Sequence, residues 1–429
     1  MSAHLLFILS NPNFRFVVLG TLVLGASAAM VGTFSFLRKR SLVGDAIAHS
    51  ILPGVCIAFM LSGTKNPFYL IIGAFITGLL AVFLIDNITK HSKISVDTSI
   101  GLVLSVLFGI GILLLTSIQN SGNAQQAGLD KFLFGQAASL TQFDIMVFSG
   151  VGLLLILVVV LFFKEFKILC FNPDYAKVIG LPVNFLEFLL SSITVLAVAV
   201  GIQAVGLVLM AALLITPAAG ARFWTDNITV MVILSTVFGA ISGVAGTFVS
   251  YVAPSMPTGP WVVMCLSVLA VISIWFAPKK GLLSRYKRQR AIRKKMLLEN
   301  VLKAFYHTGE EHEDFSEGRT FEELGNKSHI LEMELLKGLN HLKNDNLVRR
   351  NQEQWFITSK GLSESIRVVR LHRLWEMYLN QRLNLEPDHV HNDAEAIEHI
   401  ITPEIEMMLE KELDYPKIDP HQSKIPDKI

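Results

Sequence analysis

Between Phe14 and Phe276 long apolar runs alternate with short polar breaks. A helix needs about 20 apolar residues to cross the hydrocarbon of a bilayer. Runs of this kind cover 14–36, 46–62, 67–85, 98–118, 142–163, 184–200, 203–216, 228–252 and 259–276, and so predict about nine transmembrane helices. The sixth and seventh are short and nearly continuous, broken only around Gly201. They read either as two short crossings or as one helix plus a re-entrant piece. Beyond residue 278 the pattern becomes that of a water-soluble domain. Leu297, Leu298, Val301, Leu302 and Phe305 recur at helical spacing, and Phe321, Leu324, Ile330, Leu335, Leu336, Leu339, Leu342 and Leu347 continue it. Residues 347–361 then predict two short strands joined by a polar turn. Helices followed by a hairpin suggest a winged helix-turn-helix.

Charge follows the same division. Residues 1–278 hold 12 Lys/Arg and 9 Asp/Glu, whereas residues 279–429 hold 25 and 26. The net charge of +2 averages two unlike halves, and the mean hydropathy of +0.51 is set by the first. Four regions follow: a membrane domain at 1–278, a basic linker at 279–295, a winged-helix-like domain at 296–365 and a helical metal-binding and dimerisation domain at 366–429. The three cysteines (Cys56, Cys170, Cys265) sit in or beside apolar stretches without CxxC spacing and read as small hydrophobes. No basic n-region or A-x-A-like site precedes the first long run, so no cleaved leader is expected.

Basic residues in short loops mark the cytoplasmic side. Arg38, Lys39 and Arg40 follow the first helix, Lys90 and Lys93 the third, Lys164 and Lys167 the fifth, Arg222 the seventh, and Lys279 and Lys280 the ninth. The alternate loops hold Lys65 and Lys131. The alternation places the N-terminus outside and the C-terminal region in the cytoplasm. Lys279–Lys295 contains nine Lys/Arg and no acid. It reads as a positive-inside stop attracted to anionic lipid rather than as a nucleic-acid arm.

Ionisable groups at membrane depth are expensive and mark function. The chief instance is Ser41-Leu-Val-Gly-Asp45-Ala-Ile-Ala-His49-Ser-Ile-Leu-Pro53-Gly54. Asp45 and His49 are four apart, hence on one helical face and about 6 Å apart along the axis. A carboxylate and an imidazole form a partial ligand set for manganese, zinc or ferrous iron. Pro53-Gly54 loosens the helix and frees backbone carbonyls. The competing reading makes Asp45 a helix cap and His49 a partner for a neighbouring helix. A second stretch, Leu213 to Asp226, predicts an apolar helix that ends at Pro217, then a small-residue turn carrying Arg222. That turn is either a coupling helix for an ATPase or an ordinary interfacial loop. No GxxxxGK[ST] occurs, so ATP hydrolysis by a P-loop falls to another subunit. The chain itself is not expected to be an enzyme.

The LVGDAxxHxxLPG pattern within 38–54 and the ALLxTPAAxAR pattern of 211–222 resemble the metal-ion permeases of zinc, manganese and iron ABC importers. The resemblance implies an all-α polytopic importer subunit in a bacterial inner (plasma) membrane. It implies pairing around a central pathway, with itself or with a sister subunit. An extracytoplasmic metal-binding protein would deliver the ion, and a cytoplasmic ATPase would dock near Pro217, Ala218, Ala219 and Arg222. Asp45 and His49 match residues that line the route in that family.

In the C-terminal region His372 and Glu376 share one helical face, and His391, Glu395, Glu398 and His399 share another. Six N/O ligands on two adjacent helices suit manganese, iron or zinc. The plainer reading is a solvated charged face. HRLWE at 372–376, HxxAExxEH at 391–399 and Asp419-Pro420-His421 resemble the diphtheria-toxin-repressor family of metal-dependent regulators. The resemblance makes those six residues metal ligands, with Glu395 in the manner of the manganese-responsive branch. Two positions depart from it: Asn300 and Lys303 stand where that family's first helix supplies ligands. Residues 296–429 hold 16 basic and 26 acidic groups, a balance that opposes DNA binding. A metal permease with a sensing tail is therefore favoured over a membrane-tethered transcription regulator, and the membrane half has no HExxH-type set for an intramembrane metalloenzyme.

Overall fold

The computed structural model describes residues 12–64, 66–120, 141–252, 258–328, 330–383 and 403–427. They fall into two units that divide between Arg285 and Tyr286.

The first unit is entirely helical among the described residues. Its helices are α1 (Pro12–Leu37), α2 (Ser41–Ser50), α3 (Leu52–Ser62), α4 (Pro67–His91), α5 (Val96–Asn120), α6 (Gln142–Leu161), α7 (Phe163–Phe171), α8 (Pro173–Val178), α9 (Val183–Val205), α10 (Leu207–Trp224), α11 (Ile228–Val252) and α12 (Thr258–Phe276). Among the described residues eight spans are long and apolar enough to cross a membrane, α2 and α3 counting as one, and α10 adds an apolar helix of 18 residues. The ends follow from local chemistry. Pro67 opens α4 behind Asn66, whose side chain accepts from the Phe68 N–H. Thr141 and Asp144 form a reciprocal capping box at the start of α6.

Lipid tails are as apolar as leucine, so helices in a bilayer associate through close packing and polar contacts rather than hydrophobic exclusion. This bundle does so. α3 crosses α4 at Gly54 and Gly73, where a Cβ on Gly54 would lie 2.1 Å from the Gly73 carbonyl oxygen. α1 meets α11 through Thr21 and Thr247, whose hydroxyls are 2.9 Å apart, and through Ser235, which donates to the Ala29 carbonyl at 3.0 Å. Leu80, Phe83, Leu113, Met146 and Leu153 are exposed on the outer surface.

Two predicted details are corrected. The sixth and seventh runs do not break at Gly201, which lies inside α9 against the Met210 sulfur. They break at Gly206, with φ 94° and ψ 162°, a conformation essentially closed to residues that carry a Cβ. Nor does the seventh helix stop at Pro217. α10 continues through it to Trp224. An interior proline is tolerated in a membrane helix that packs against neighbours, and here Ala218 and Ala221 pack beside Met231, Phe36 and Phe238.

The second unit contains most of α13 (Leu282–Glu311), then α14 (Phe321–Ser328), α15 (Glu332–Asn344), β1 (Val348–Asn351), β2 (Gln354–Ile357), α16 (Ser359–Leu383) and α17 (Pro403–Glu412). The expected hairpin is present, antiparallel, pairing Val348 with Ile357 and Asn351 with Gln354. Arg319 adds a bridge to Trp355 on the hairpin's far edge. Leu302, Phe305, Leu324, Leu335, Leu339, Leu342, Val348 and Trp355 form the core of this winged-helix arrangement. The basic stretch expected as a linker leads straight into α13 as one continuous helix.

Candidate functional site

α1 ends in a Schellman turn. The Arg40 N–H bonds the Ser35 carbonyl and the Lys39 N–H bonds the Phe36 carbonyl, with Lys39 at φ 57° where glycine is usual. The chain reverses there and re-enters as α2, so Asp45 is the fifth residue of a helix and not its cap. His49 follows one turn later, its Nε2 3.5 Å from the Asp45 carboxylate. The Asp45 side chain is 44% exposed and that of His49 21%. The imidazole stands edge-on to Phe108 of α5, with ring centroids 5.0 Å apart. His49 Nδ1 is buried with no hydrogen-bond partner among the described residues. Pro53 also lacks the N–H that would have bonded the His49 carbonyl one turn back. The reading of Asp45 as a cap and His49 as a bonded neighbour therefore fails. What remains is an open N/O pair. Two groups do not complete the shell of a transition metal, which takes four or more ligands.

In the stretch expected to couple to an ATPase, Pro217 and Ala218 are buried while Ala219 and Arg222 are partly exposed. Arg222 pairs with Asp226 at 3.2 Å, and Lys280 also bonds Asp226. The hydrogen bond from Lys280 holds the Asp226 carboxyl below its ordinary range. Sequence reasoning missed this tie between the end of α10 and the segment after α12. It also missed α8, capped by Asn172, whose Oδ1 accepts from the Asp174 and Tyr175 N–H groups. Beside that cap Tyr175, Val178 and Ile179 are all exposed. The missed ion pairs of Arg38 with Glu187 and of Arg40 with Asp86 tie the α1–α2 turn to α9 and α4.

In the second unit His372 and Glu376 lie on α16 with Nε2 and Oε1 3.0 Å apart, and both side chains are 3% exposed. His391, Glu395, Glu398 and His399 lie outside the described residues. Among the described residues, no three His, Cys, Asp or Glu side chains gather as a metal cluster. Around the pair runs a salt-bridge network. Arg373 forks onto Glu310 at 3.0 and 2.7 Å and reaches Asp419 at 3.4 Å. Asp419 in turn accepts from the His421 and Ser423 N–H groups. Burial works to raise the Glu310 carboxyl, but the hydrogen bond and charge of Arg373 outweigh it and hold it below its ordinary value. Burial, reinforced by Arg373 and Lys303, pushes His307 down to about 4. Lys303 itself is buried on α13.

A family profile described as the ABC 3 transport family matches residues 11–277, well over half of the chain. The chain belongs to the ABC 3 transport family. A second profile, the metal binding and dimerisation domain of iron dependent repressors, matches residues 358–427. The ABC 3 chain is 42% identical over 393 residues to the manganese transport system membrane protein MntC of Bacillus subtilis, covering 91% of this chain and 90% of that protein. It is 42% identical over 283 residues to the zinc transport system membrane protein TroC of Treponema pallidum, covering 66% and 95%. Among solved structures, PsaBC of Streptococcus pneumoniae in complex with Fab aligns with a TM-score of 0.60 and 34% identity, over 68% of this chain and all of that one. This ABC 3 member is thus a transport permease fused to a repressor-type domain. The reading in which its helices merely anchor a transcription regulator is set aside.

Proposed function

We propose that this chain is the membrane subunit of an importer that carries a divalent transition metal ion, manganese, zinc or iron, into the cytoplasm. One observation carries the reading: an acid–imidazole pair inside an apolar bundle, with open coordination capacity and no partner for His49 Nδ1 among the described residues. The names of the manganese and zinc relatives support the ion class. The basic alternation supports an outward N-terminus and a cytoplasmic second unit. An extracytoplasmic metal-binding protein delivers the ion, and a cytoplasmic ATPase supplies energy by docking at the exposed end of α10, around Ala219 and Arg222, and at α8. A second permease subunit, a copy or a sister, completes the coordination shell. His372, Glu376, His391, Glu395, Glu398 and His399 hold a regulatory metal in the cytoplasm and throttle import when metal is plentiful.

The test is metal uptake by vesicles reconstituted with the ATPase and the binding protein. Asp45→Ala abolishes uptake while the complex still assembles; wild-type rates refute the pathway. Deleting residues 296–429 leaves the initial rate intact but removes inhibition by metal preloaded inside the vesicles. If inhibition persists without them, the sensing role is refuted.

A further inference from the structure

Arg38, Lys39 and Arg40 count in the sequence as topological charges, and such charges stay in water because water solvates them best. Lys39 behaves so and is exposed. Arg38 does not, and Arg40, its side chain 32% exposed, does so only in part. The Arg38 side chain is only 11% exposed and pairs with Glu187 on α9. Arg40 pairs with Asp86 on α4 at 2.9 Å. Drawing a guanidinium and a carboxylate out of water is unfavourable unless their geometry returns the loss, so such pairs hold a specific arrangement.

The arrangement they hold is the Schellman turn. Arg38 and Arg40 flank Lys39, the residue at φ 57° about which the chain reverses. α2 begins immediately afterwards, which places Asp45 about 7.5 Å farther along the axis and His49 one turn beyond. The helix that carries the candidate metal ligands thus hangs from an elbow clamped at two points to two other helices. Ser35 and Thr194, hydroxyls 3.5 Å apart, add a weaker tie between α1 and α9. The clamps are not sealed. Glu187 and Asp86 are each 32% exposed and line a groove of about 350 Å³ with Asn87, Asn184 and Ser191. Water reaching the carboxylates lowers the penalty of parting, so the clamps can exchange as the permease changes state.

We infer that the Arg38–Glu187 and Arg40–Asp86 pairs are positioning residues for translocation: they fix the α1–α2 elbow and, through it, where Asp45 and His49 present themselves to the ion. The inference rests on the translocation reading of Asp45 and His49. Misplaced ligands spoil transfer of the ion without stopping the ATPase, so the signature is uncoupling.

The experiment measures manganese uptake and ATP hydrolysis together in vesicles holding the full transporter and its binding protein. In Asp86→Asn and Glu187→Gln the metal moved per ATP falls about tenfold, between the effects of exposed and fully buried ion pairs. The charge-exchanged Arg40→Asp/Asp86→Arg variant recovers at least half of that ratio. A merely structural role lowers both activities in proportion and leaves the ratio unmoved. That outcome, an unchanged ratio with full activity, or an exchanged pair no better than Asp86→Asn alone would each overturn the inference. Asp45→Asn is the reference. If it transports normally, the translocation reading itself fails and this inference with it. If it is inactive while the clamp variants stay coupled, the positioning role alone fails.

Discussion

On α2 a carboxylate precedes an imidazole by four residues; on α16 the order is reversed. Helical geometry brings both pairs together across one turn. Their surroundings then separate them. Asp45 and His49 stand 3.5 Å apart with side chains 44% and 21% exposed, and one imidazole nitrogen lacks a partner among the described residues. His372 and Glu376 stand 3.0 Å apart at 3% exposure, beside a salt-bridge network. Spacing alone decides whether two groups meet. Packing decides whether they can let go. A pair that must accept an ion and release it has to be open and loosely held, because a fully enclosed site retains its ion. A pair that stabilises can be sealed. The pair on α2 has the first character and the pair on α16 the second.

The largest expected effect breaks the symmetry between the two imidazoles. His49→Ala reduces initial uptake at least about 100-fold, the scale of losing a ligand or its support at a metal site. His372→Ala leaves that initial rate within about twofold, since His372 is no part of the Asp45–His49 pair. Both are read in the same vesicles, and equal losses would erase the distinction.

Stability reverses the order. Glu376→Ala removes the carboxylate 3.0 Å from the buried His372 and destabilises the second unit by about 1–3 kcal/mol, whereas Asp45→Ala changes the first by less than about 1 kcal/mol. Hydrogen exchange of the α16 and α2 amides in the full chain measures both. Comparable protection of α16 in wild type and Glu376→Ala would show that the sealed pair holds nothing.

Acid sharpens the contrast. His307 titrates near 4 in the folded second unit, below the ordinary 6.5. The unfolded chain therefore binds the proton first. The contribution is fully present above about pH 6.5 and is lost as pH falls toward 4, at most about 3 kcal/mol and less because solvent reaches part of the ring. α16 exchange should accelerate across that window in wild type, and His307→Gln should flatten the response. The smallest effect belongs to Phe108→Ala. It removes an edge contact worth about 0.5–1.5 kcal/mol and should lower uptake roughly two- to tenfold without affecting α16.

Much of this was legible in the sequence because it is local. Apolar run length gave the spans, and i,i+4 spacing gave both acid–imidazole pairs. A polar turn between two short runs in 347–361 gave the hairpin. What escaped was either non-local or conformational. Arg38 meets Glu187 across 149 positions and Arg373 meets Glu310 across 63, and no periodicity encodes such partners. Gly201 and Gly206 are the same residue type a turn and a half apart; only the backbone angles reveal which one breaks the helix. Pro217 reads as a stop by local rules, whereas α10 continues through it and packs against its neighbours at Ala218 and Ala221.

Pulsed EPR on Mn(II) bound to the transporter with ATP hydrolysis blocked tests the central claim most directly. The three candidate ligand imidazoles of the second unit are first removed by His372→Gln, His391→Gln and His399→Gln. The account predicts nitrogen hyperfine modulation in that background and its disappearance when His49→Gln is added. Modulation unchanged by His49→Gln, or absent from both, would contradict it.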